Sequence, residues 1–586
     1  MASEQGRSTA LASRFQQMFP VLSAAEIDRV RRFGDLQRFR PGEFLCRVGK
    51  PSPGMFVILS GRVAVVGRDG LGRALPTAEF AQLIGATLED MEVVPGEVLA
   101  EIGLLSGAPS VLDAQAVDEV EAIVVPSEGL RALLIEEAEL GELILRALIL
   151  RRVALIETGF GGPVLIGSLK SPDVTRLSGF LGRNGIPFRV IDPDEDADAS
   201  SLIARFAPQR GELPIVVIPG GAVLKNPTKH DLAQVLGLIA TTLRSEPYDV
   251  AIVGAGPAGL ATAVYAASEG LSIIVLEALS FGGQAGASAR IENYLGFPTG
   301  VSGQALMARA FTQAQKFGAQ FSLYTEVKQL DCTSERAGPD PALILELADG
   351  RRVRARAVVV ATGARYRRPE IPNLKQFEGR GVSYWVSPVE ARLCRGEQTA
   401  LLGGGNSAGQ AAVFLASYAQ KVRMLVRGPS LSRTMSRYLI DRIAACSNVD
   451  VLCDTEIVEL SGSPDQGLQG VRWRNRRTGR KEEHAIAHLF LFTGADPATN
   501  WLAGCGIPLD EKGFIRTGAE VGSIDRALLP METGVEGIFA VGDVHSGSVK
   551  RVGAAIGEGA AVVAQLHTFL ARRVPKTVDL RMKAND

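Results

Sequence analysis

The residues best suited to chemistry in this chain lie in two glycine-punctuated stretches. In the first, Tyr248-Asp249-Val250-Ala251-Ile252-Val253 runs into Gly254-Ala255-Gly256-Pro257-Ala258-Gly259, and small residues follow at Ala261, Ala263 and Ala266. An apolar, β-branched run that halts at Gly-x-Gly-x-x-Gly and resumes as a small-residue helical pattern reads as strand, tight turn and helix. The chemistry this suits is the holding of a pyrophosphate. Gly254 permits the turn, Gly256 lets the backbone approach the ligand, and Gly259 lets helix and strand pack closely; the anion meets free amide N–H groups at the helix N-terminus. Pro257 and Ala258 complete the turn. Glu277 closes the next strand, Leu271 to Leu276, at about the twenty-residue separation expected of a carboxylate that binds ribose hydroxyls.

The second stretch, Thr399-Ala400-Leu401-Leu402-Gly403-Gly404-Gly405-Asn406-Ser407-Ala408, is again a strand ending in Gly-x-Gly-x-x-Ala, with a helix expected from Gly409 through Ala419. Gly403, Gly405, Asn406, Ser407 and Ala408 are its candidate ligand contacts. The following strand, Lys421 to Val426, ends in Arg427 where an acid would favour NAD. A cation there pairs with a 2′-phosphate, so NADPH is expected as donor with NADH possible, and Arg433 is a candidate for a second charge.

Four further stretches surround these in order: Phe281-Gly282-Gly283-Gln284, Ile291-Glu292-Asn293-Tyr294, Val358-Val359-Val360-Ala361-Thr362-Gly363-Ala364, and Gly537-Ile538-Phe539-Ala540-Val541-Gly542-Asp543-Val544. With the opening fingerprint they resemble the low-molecular-weight thioredoxin reductases of bacteria over about Tyr248 to Phe569. The resemblance implies FAD contacts at Gly283, Gln284, Asn293, Ala361, Thr362, Gly363, Gly542, Asp543, Arg551 and Val552, with a helix beginning at Gly553 to Val563 near the flavin. It also implies a homodimer. Lys550 and Arg551 would bring positive charge near the flavin's pyrimidine edge.

The departure from that family is chemical. Where it carries Cys-x-x-Cys between Tyr384 and the second fingerprint, this chain reads Val382-Ser383-Tyr384-Trp385-Val386-Ser387-Pro388-Val389-Glu390. Trp385 and Pro388 replace the redox cysteines, neither can form a disulfide, and Val389 replaces the acid that protonates the leaving thiolate. Cys394 lies nearby, but a single thiol does not cycle as a dithiol; it is read as a buried thiol. Electrons passed from NAD(P)H to FAD are therefore expected to leave to a non-disulfide acceptor: oxygen, a quinone, or a ferredoxin- or flavodoxin-like protein. The alternative is an FAD-holding sensor or scaffold with little turnover.

Two units precede the fingerprints. From Arg38 to about Val125 short alternating segments broken by Pro-Gly and Ser-Gly signal a small β jelly roll, and a helical segment from Gly129 to about Glu157 follows. Phe56-Val57-Ile58-Leu59-Ser60-Gly61 and Gly96-Glu97-Val98-Leu99-Ala100-Glu101-Ile102-Gly103 resemble a cyclic-nucleotide-binding domain, which implies a ribose contact at Glu101 and a small-molecule regulatory ligand. The phosphate-binding arginine of that family is replaced by Ser110-Val111 after Pro109. Gly162 to about Leu243 then alternates strand and helix: Pro163 to Gly167, Pro172 to Gly182, Pro187 to Asp192, an acidic loop and helix, Glu212 to Ile218, and a helix from Lys229 to Ile239. This resembles a glutaredoxin or thioredoxin fold with Pro214 at its cis-proline position. Ser171-Pro172-Asp173-Val174 stands where the cysteines belong, so the unit has no dithiol of its own and reads as a scaffold or docking domain.

Length and composition bound the rest. The chain has 586 residues, 63 Lys and Arg against 64 Asp and Glu, and a net charge of -1, so neither nucleic acid nor an anionic membrane is expected as partner. The start is polar, and no apolar stretch reads as reaching the roughly eighteen to twenty residues of a membrane span, so a cytoplasmic location is expected. The six cysteines, Cys46, Cys332, Cys394, Cys446, Cys453 and Cys505, show no Cys-x-x-Cys and each reads as an unpaired buried thiol. His484 and His488 fall in a strand pattern, and no metal site is expected. The expected architecture is multidomain: a jelly roll with helices over 1–158, a thioredoxin-like α/β unit over 159–245, an FAD-binding Rossmann-like domain over 246–367 and 496–586, and a nested NAD(P)H-binding domain over 368–495.

Overall fold

The computed structural model describes residues 14–67, 92–159, 161–169, 171–194, 203, 206–209, 211–288, 290–333, 341–386, 388–463 and 466–573. The N-terminal unit is two antiparallel four-stranded sheets. One runs in the order Asp35–Phe39, Val120–Val125, Met55–Ser60, Val98–Leu99, the other Phe44–Cys46, Leu112–Ala116, Val63–Gly67, Glu92–Val93. Side chains alternate across each strand. Phe56 and Ile58 therefore enter the core between the sheets, while Met55 and Val57 face the helices Ser127–Glu136 and Ala138–Thr158. The expected single helical segment is thus two helices, broken at Glu137, whose carboxylate is held by Arg29 and Arg32.

In the middle unit the sheet order is Arg189–Ile191, Val164–Ile166, Ile215–Val217, Val223–Lys225, with the first pair parallel and the others antiparallel. Both faces of the two central strands are covered, which is why Val164–Ile166 and Ile215–Val217 read as unbroken apolar runs. Leu165 and Val216 pack against Leu177, Phe180 and Leu232 of the helices Pro172–Arg183 and Lys229–Val235, while Val164, Ile166 and Ile215 pack with Phe206. The last helix stops at Val235, short of the expected Ile239, and the strand Val223–Lys225 has no counterpart in the sequence reading. The Leu213–Pro214 bond is cis. The expected acidic-loop helix falls mostly outside the described residues.

The C-terminal portion holds two Rossmann-like sheets, each with its long helices packed on one face. The first follows Gln320–Leu323, Ile273–Glu277, Tyr248–Val253, Arg352–Val360, Leu343–Leu347, Val327–Asp331, with Ile538–Ala540 adding to Arg352–Val360. The second is five parallel strands: Val382–Ser383, His488–Leu491, Gln398–Leu402, Lys421–Leu425, Val449–Leu452. An antiparallel ribbon, Ala364–Tyr366 with Ala495–Pro497, carries the chain across and back between them. His484 and His488 sit on strands of different sheets, His484 stacked on Trp473.

Two expectations are corrected here. Cys332 and Cys505 are not thiols but a disulfide, joining the end of Val327–Asp331 to the loop after Asn500–Leu502; positions so distant in sequence give no local sign of pairing. The helix Val552–Arg573 is long and apolar enough to cross a membrane by length and composition. Its apolar face is spent inside the protein: Val562, Val563, Leu566 and Phe569 are buried in the flavin-domain core, and Gly559 lies so close to Pro257–Ser268 that a Cβ would stand 2.2 Å from the Ala258 carbonyl oxygen.

Candidate flavin and pyridine-nucleotide site

At the first fingerprint, Gly254 has φ +108°, and a Cβ there would lie 2.3 Å from the Ala361 carbonyl oxygen. A Cβ on Gly259 would lie 1.9 Å from the Gly254 carbonyl oxygen, so no other residue lets this helix close on its strand. Gly256 differs, because the nearest atom to its hypothetical Cβ is the Gly283 Cα at 4.0 Å. The two loops face each other through bare backbone, leaving a cradle that a side chain on either would fill. The helix Pro257–Ser268 has Gly256 at its N-cap with no side-chain cap, and Pro257 in its first turn. Its remaining N–H groups are thus available to an anion. The residues fit a dinucleotide pyrophosphate.

Glu277 is oriented by two backbone donors, Ala255 N–H to Oε2 and Leu279 N–H to Oε1, each at 2.8 Å. Burial pushes its carboxyl upward against those bonds and the nearby Arg365 charge. Beside the same cradle, where a Cβ on Gly542 would stand 2.8 Å from the Ala258 Cβ, Gly542 and Asp543 follow Ile538–Ala540 in a short turn of 3-10 helix; burial drives the Asp543 carboxyl upward, opposed by Lys550 and reinforced by Glu558. Lys550 donates to the Asp543 carbonyl oxygen and to Ser548 Oγ, both at 2.6 Å. Gln284 donates to the Ala364 carbonyl and Thr362 Oγ1 to the Ala498 carbonyl, so these two expected ligand contacts also fasten the inter-sheet ribbon. Asn293 and Arg551 are exposed, Val552 is half-buried, and Gly363 has φ +64°.

In the second fingerprint Gly403 has φ +152° and a Cβ would stand 2.6 Å from the Phe492 carbonyl oxygen, whereas Gly405 opens to free space. Ala408 lies in the first turn of the helix Asn406–Ala416 and is buried. Asn406 accepts from the Ser436 N–H at 2.7 Å, bracing the loop on the next helix. Arg427 and Arg433 are both exposed, Arg427 just past the carboxyl end of the strand Lys421–Leu425. Two further residues left no sign in the chain's pattern. Tyr366, on the ribbon, hydrogen-bonds Ser407 of the second fingerprint and feels Asp543 of the flavin domain; burial pushes its phenol upward. Glu558 accepts from the Gly542 N–H at 2.6 Å.

Trp385 stands where a redox cysteine was sought. Its indole N–H donates to Glu390 Oε1 at 3.0 Å, and Arg183 of the middle unit lies 4.6 Å over its ring. Pro388 opens the helix Pro388–Leu393, which also holds Val389. Cys394 is fully buried, its thiol pushed up to about 12 by burial and by Glu390 and Glu397. In the jelly roll, Glu101 accepts from the Gly103 N–H at 2.9 Å and pairs with Arg152 at 2.7 Å.

Two Rossmann-like sheets with glycine cradles facing a common ribbon define a pyridine-nucleotide-dependent flavoprotein oxidoreductase. Residues 248–559 match the family described as pyridine nucleotide-disulphide oxidoreductase, and the chain belongs to that family; residues 36–137 match the cyclic nucleotide-binding domain. The chain is 31% identical to the thioredoxin reductase of Streptomyces coelicolor over 329 residues, 56% of this chain and 95% of that protein. It is 32% identical to the thioredoxin reductase of Bacillus subtilis over 324 residues, covering 55% of this chain and 95% of that one. Among solved structures, Lactococcus lactis thioredoxin reductase aligns with 28% identity and a TM-score of 0.49, over 56% of this chain and 99% of that one. Thioredoxin reductases bind FAD and NADPH.

Proposed function

We propose that the protein is an NADPH-dependent flavin oxidoreductase whose electrons leave to a non-disulfide acceptor: oxygen, a quinone, or a ferredoxin- or flavodoxin-like protein. FAD, when bound, supplies the two-electron chemistry, accepting from NADPH and releasing to the acceptor. The chain's own residues bind and orient. The Gly254 N–H is spent on the Leu276 carbonyl, so amide groups at Gly256, Ala258 and Gly259 would hold one pyrophosphate, Glu277 the ribose, and Gly283, Asn293, Ala361 and Asp543 the rest of the flavin nucleotide. Gly403, Gly405, Ser407 and Ala408 hold the other pyrophosphate, and Arg427 a 2′-phosphate. Lys550, tied to the Asp543 carbonyl, keeps a positive charge beside the flavin turn.

The observation that carries this reading is Trp385 beside Pro388–Leu393, locked to Glu390, in place of a dithiol. Among the described residues no other thiol pair substitutes for it: Cys46, Cys394, Cys446 and Cys453 are unpaired thiols, and Cys332–Cys505 lies among Leu330, Leu345 and Ile515 in the core on the flavin sheet's opposite face. Mixing the protein with NADPH and a panel of acceptors under anaerobic conditions tests it. Flavin bleaching, with reoxidation by a one-electron acceptor or quinone and none by thioredoxin, is expected; turnover of thioredoxin would refute it.

A second reading, a flavin-holding sensor with slow turnover, is favoured by one feature, the clamping of Glu101 by Arg152 in the jelly roll. Absence of bleaching at millimolar NADPH would select it. A homodimer and a cytoplasmic location belong to the same proposal.

A further inference from the structure

Four consecutive residues at the end of the helix Pro172–Arg183 reach the three other parts of the molecule. The Gly182 carbonyl accepts from Gln304 Nε2 of the flavin domain. Arg183 lies 4.6 Å over Trp385 of the nucleotide domain. Asn184 donates to the Tyr324 hydroxyl of the flavin domain at 3.1 Å, and the Tyr324 ring packs 4.7 Å from Phe180. The Gly185 carbonyl accepts from Arg152 Nε at 3.1 Å, and the same guanidinium pairs with Glu101 through Nη1 at 2.7 Å.

Arg152 is therefore the bridge between the jelly roll's loop and this junction. It belongs to the helix Ala138–Thr158, and its neighbour Arg151 anchors that helix by donating to the Met18 carbonyl at 2.7 Å and the Ala100 carbonyl at 3.3 Å. Glu101 occupies its own loop as an anion would, taking the Gly103 N–H and the arginine together. A phosphate-bearing ligand entering that loop competes for the same two donors, because a phosphate pairs with a guanidinium at least as well as a carboxylate does. Arg152 then has two states: clamped between Glu101 and Gly185, or drawn to the ligand.

We propose that Gly182–Gly185 is the junction through which the jelly roll reports ligand binding to the nucleotide domain, with Arg152 as the switch and the Arg183–Trp385 contact as its output. This rests on the proposed flavin reduction for its consequence, but not for its structural content. The two halves of the molecule share no dithiol, so the middle unit acts as a fixed coupling piece between them rather than as an electron carrier. Such coupling requires an element with two arrangements that a ligand at one end biases; the Glu101–Arg152–Gly185 contacts are the unliganded one.

The test uses the full-length protein and reads amide hydrogen exchange over residues 384–393, so that it does not depend on turnover. Arg152→Gln is expected to speed exchange in that segment by at least about threefold and Arg183→Gln to do the same, with the double variant no larger than either single one. Fluorescence-detected unfolding of each variant establishes that it is folded; Arg152→Lys, which keeps the charge, is the second variant should the glutamine fail to fold. Unchanged exchange in Arg152→Gln, or additive effects in the double variant, overturns the coupling. Wild-type protein is then titrated with 3′,5′-cyclic AMP, 3′,5′-cyclic GMP and inorganic phosphate. A change matching Arg152→Gln with any of them supports the switch. No change with all three makes the Glu101–Arg152 pair a static strut and overturns it. If NADPH fails to bleach the flavin while the exchange result stands, the proposed activity falls and the junction does not.

Discussion

The indole N–H of Trp385 donates to Glu390 across the turn that opens the helix Pro388–Leu393, at 3.0 Å. That bond makes the position rigid where a disulfide reductase needs an exchangeable sulfur. It is also the reason an aromatic can sit there, since a half-buried indole wants a partner for its nitrogen.

Thiol reagents are accordingly expected to leave flavin reduction by NADPH unchanged. Cys394, the thiol nearest the replaced pair, is buried and its pKa is pushed up to about 12 by burial and two carboxylates, so almost none is thiolate at pH 8. Cys394→Ser should reduce and reoxidise its flavin as the parent does. Inactivation by N-ethylmaleimide that Cys394→Ser abolishes would show a working thiol.

Glu277→Ala is expected to weaken FAD binding about 10- to 100-fold, the loss of one or two charge-assisted hydrogen bonds at about 1.5–3 kcal/mol. The carboxylate is held for that role by Ala255 and Leu279. Flavin titration of the apoprotein followed by fluorescence quenching measures it.

Much of this site could be read from the chain before any coordinates. The fingerprints at Gly254–Gly259 and Gly403–Ala408 are legible because each glycine answers a local demand: a positive φ at Gly254, a carbonyl 1.9 Å from where a Cβ on Gly259 would stand. The buried central strands of the middle unit were legible through their apolar runs, while the exposed edge strand Val223–Lys225 was not. Arg152–Glu101, Arg183–Trp385 and Cys332–Cys505 were not, because each joins residues far apart whose types are common on any surface or core. Tyr366 was hidden for a different reason: only the ribbon's pairing with Ala495–Pro497 brings it between Ser407 and Asp543.

Arg526→Ala should destabilise the flavin domain. Glu532 is 1% exposed and accepts from Arg526 at 2.8 Å, with weaker backbone bonds from Leu529 and Gly537. Removing the arginine strands a buried carboxylate; because the Arg526 side chain keeps about a third of its exposure, a loss of about 2 kcal/mol is expected, the low end for such pairs. Flavin release on heating, several degrees earlier than in the parent, is the measurement.

Reduction of Cys332–Cys505 should also lower stability, by about 2–5 kcal/mol, since the bridge closes a loop across the inserted nucleotide domain. Urea unfolding with and without a phosphine reductant, and of Cys332→Ser, reads this out. Coincident curves would show that the bridge does not form in solution.

The acid limb of stability should depend on Asp249. Burial raises its carboxyl, but hydrogen bonds from Ser272 and the Arg356 guanidinium outweigh that and leave it below the usual carboxylate range. A depressed folded pKa contributes stability above the unfolded value of about 3.9, lost as pH falls through the folded value. Asp249→Asn is expected to be less stable than the parent at pH 7 and to close that gap as pH falls below the unfolded carboxylate value and through the lowered folded one. A constant gap across this range would contradict it.

The most direct test of the account is an anaerobic titration of the purified flavoprotein with NADPH, followed by flavin absorbance. With no dithiol beside the flavin, bleaching should be complete after a single equivalent per flavin, the two electrons the flavin itself takes. An end point at two equivalents, which requires a disulfide reduced in series with the flavin, would contradict it.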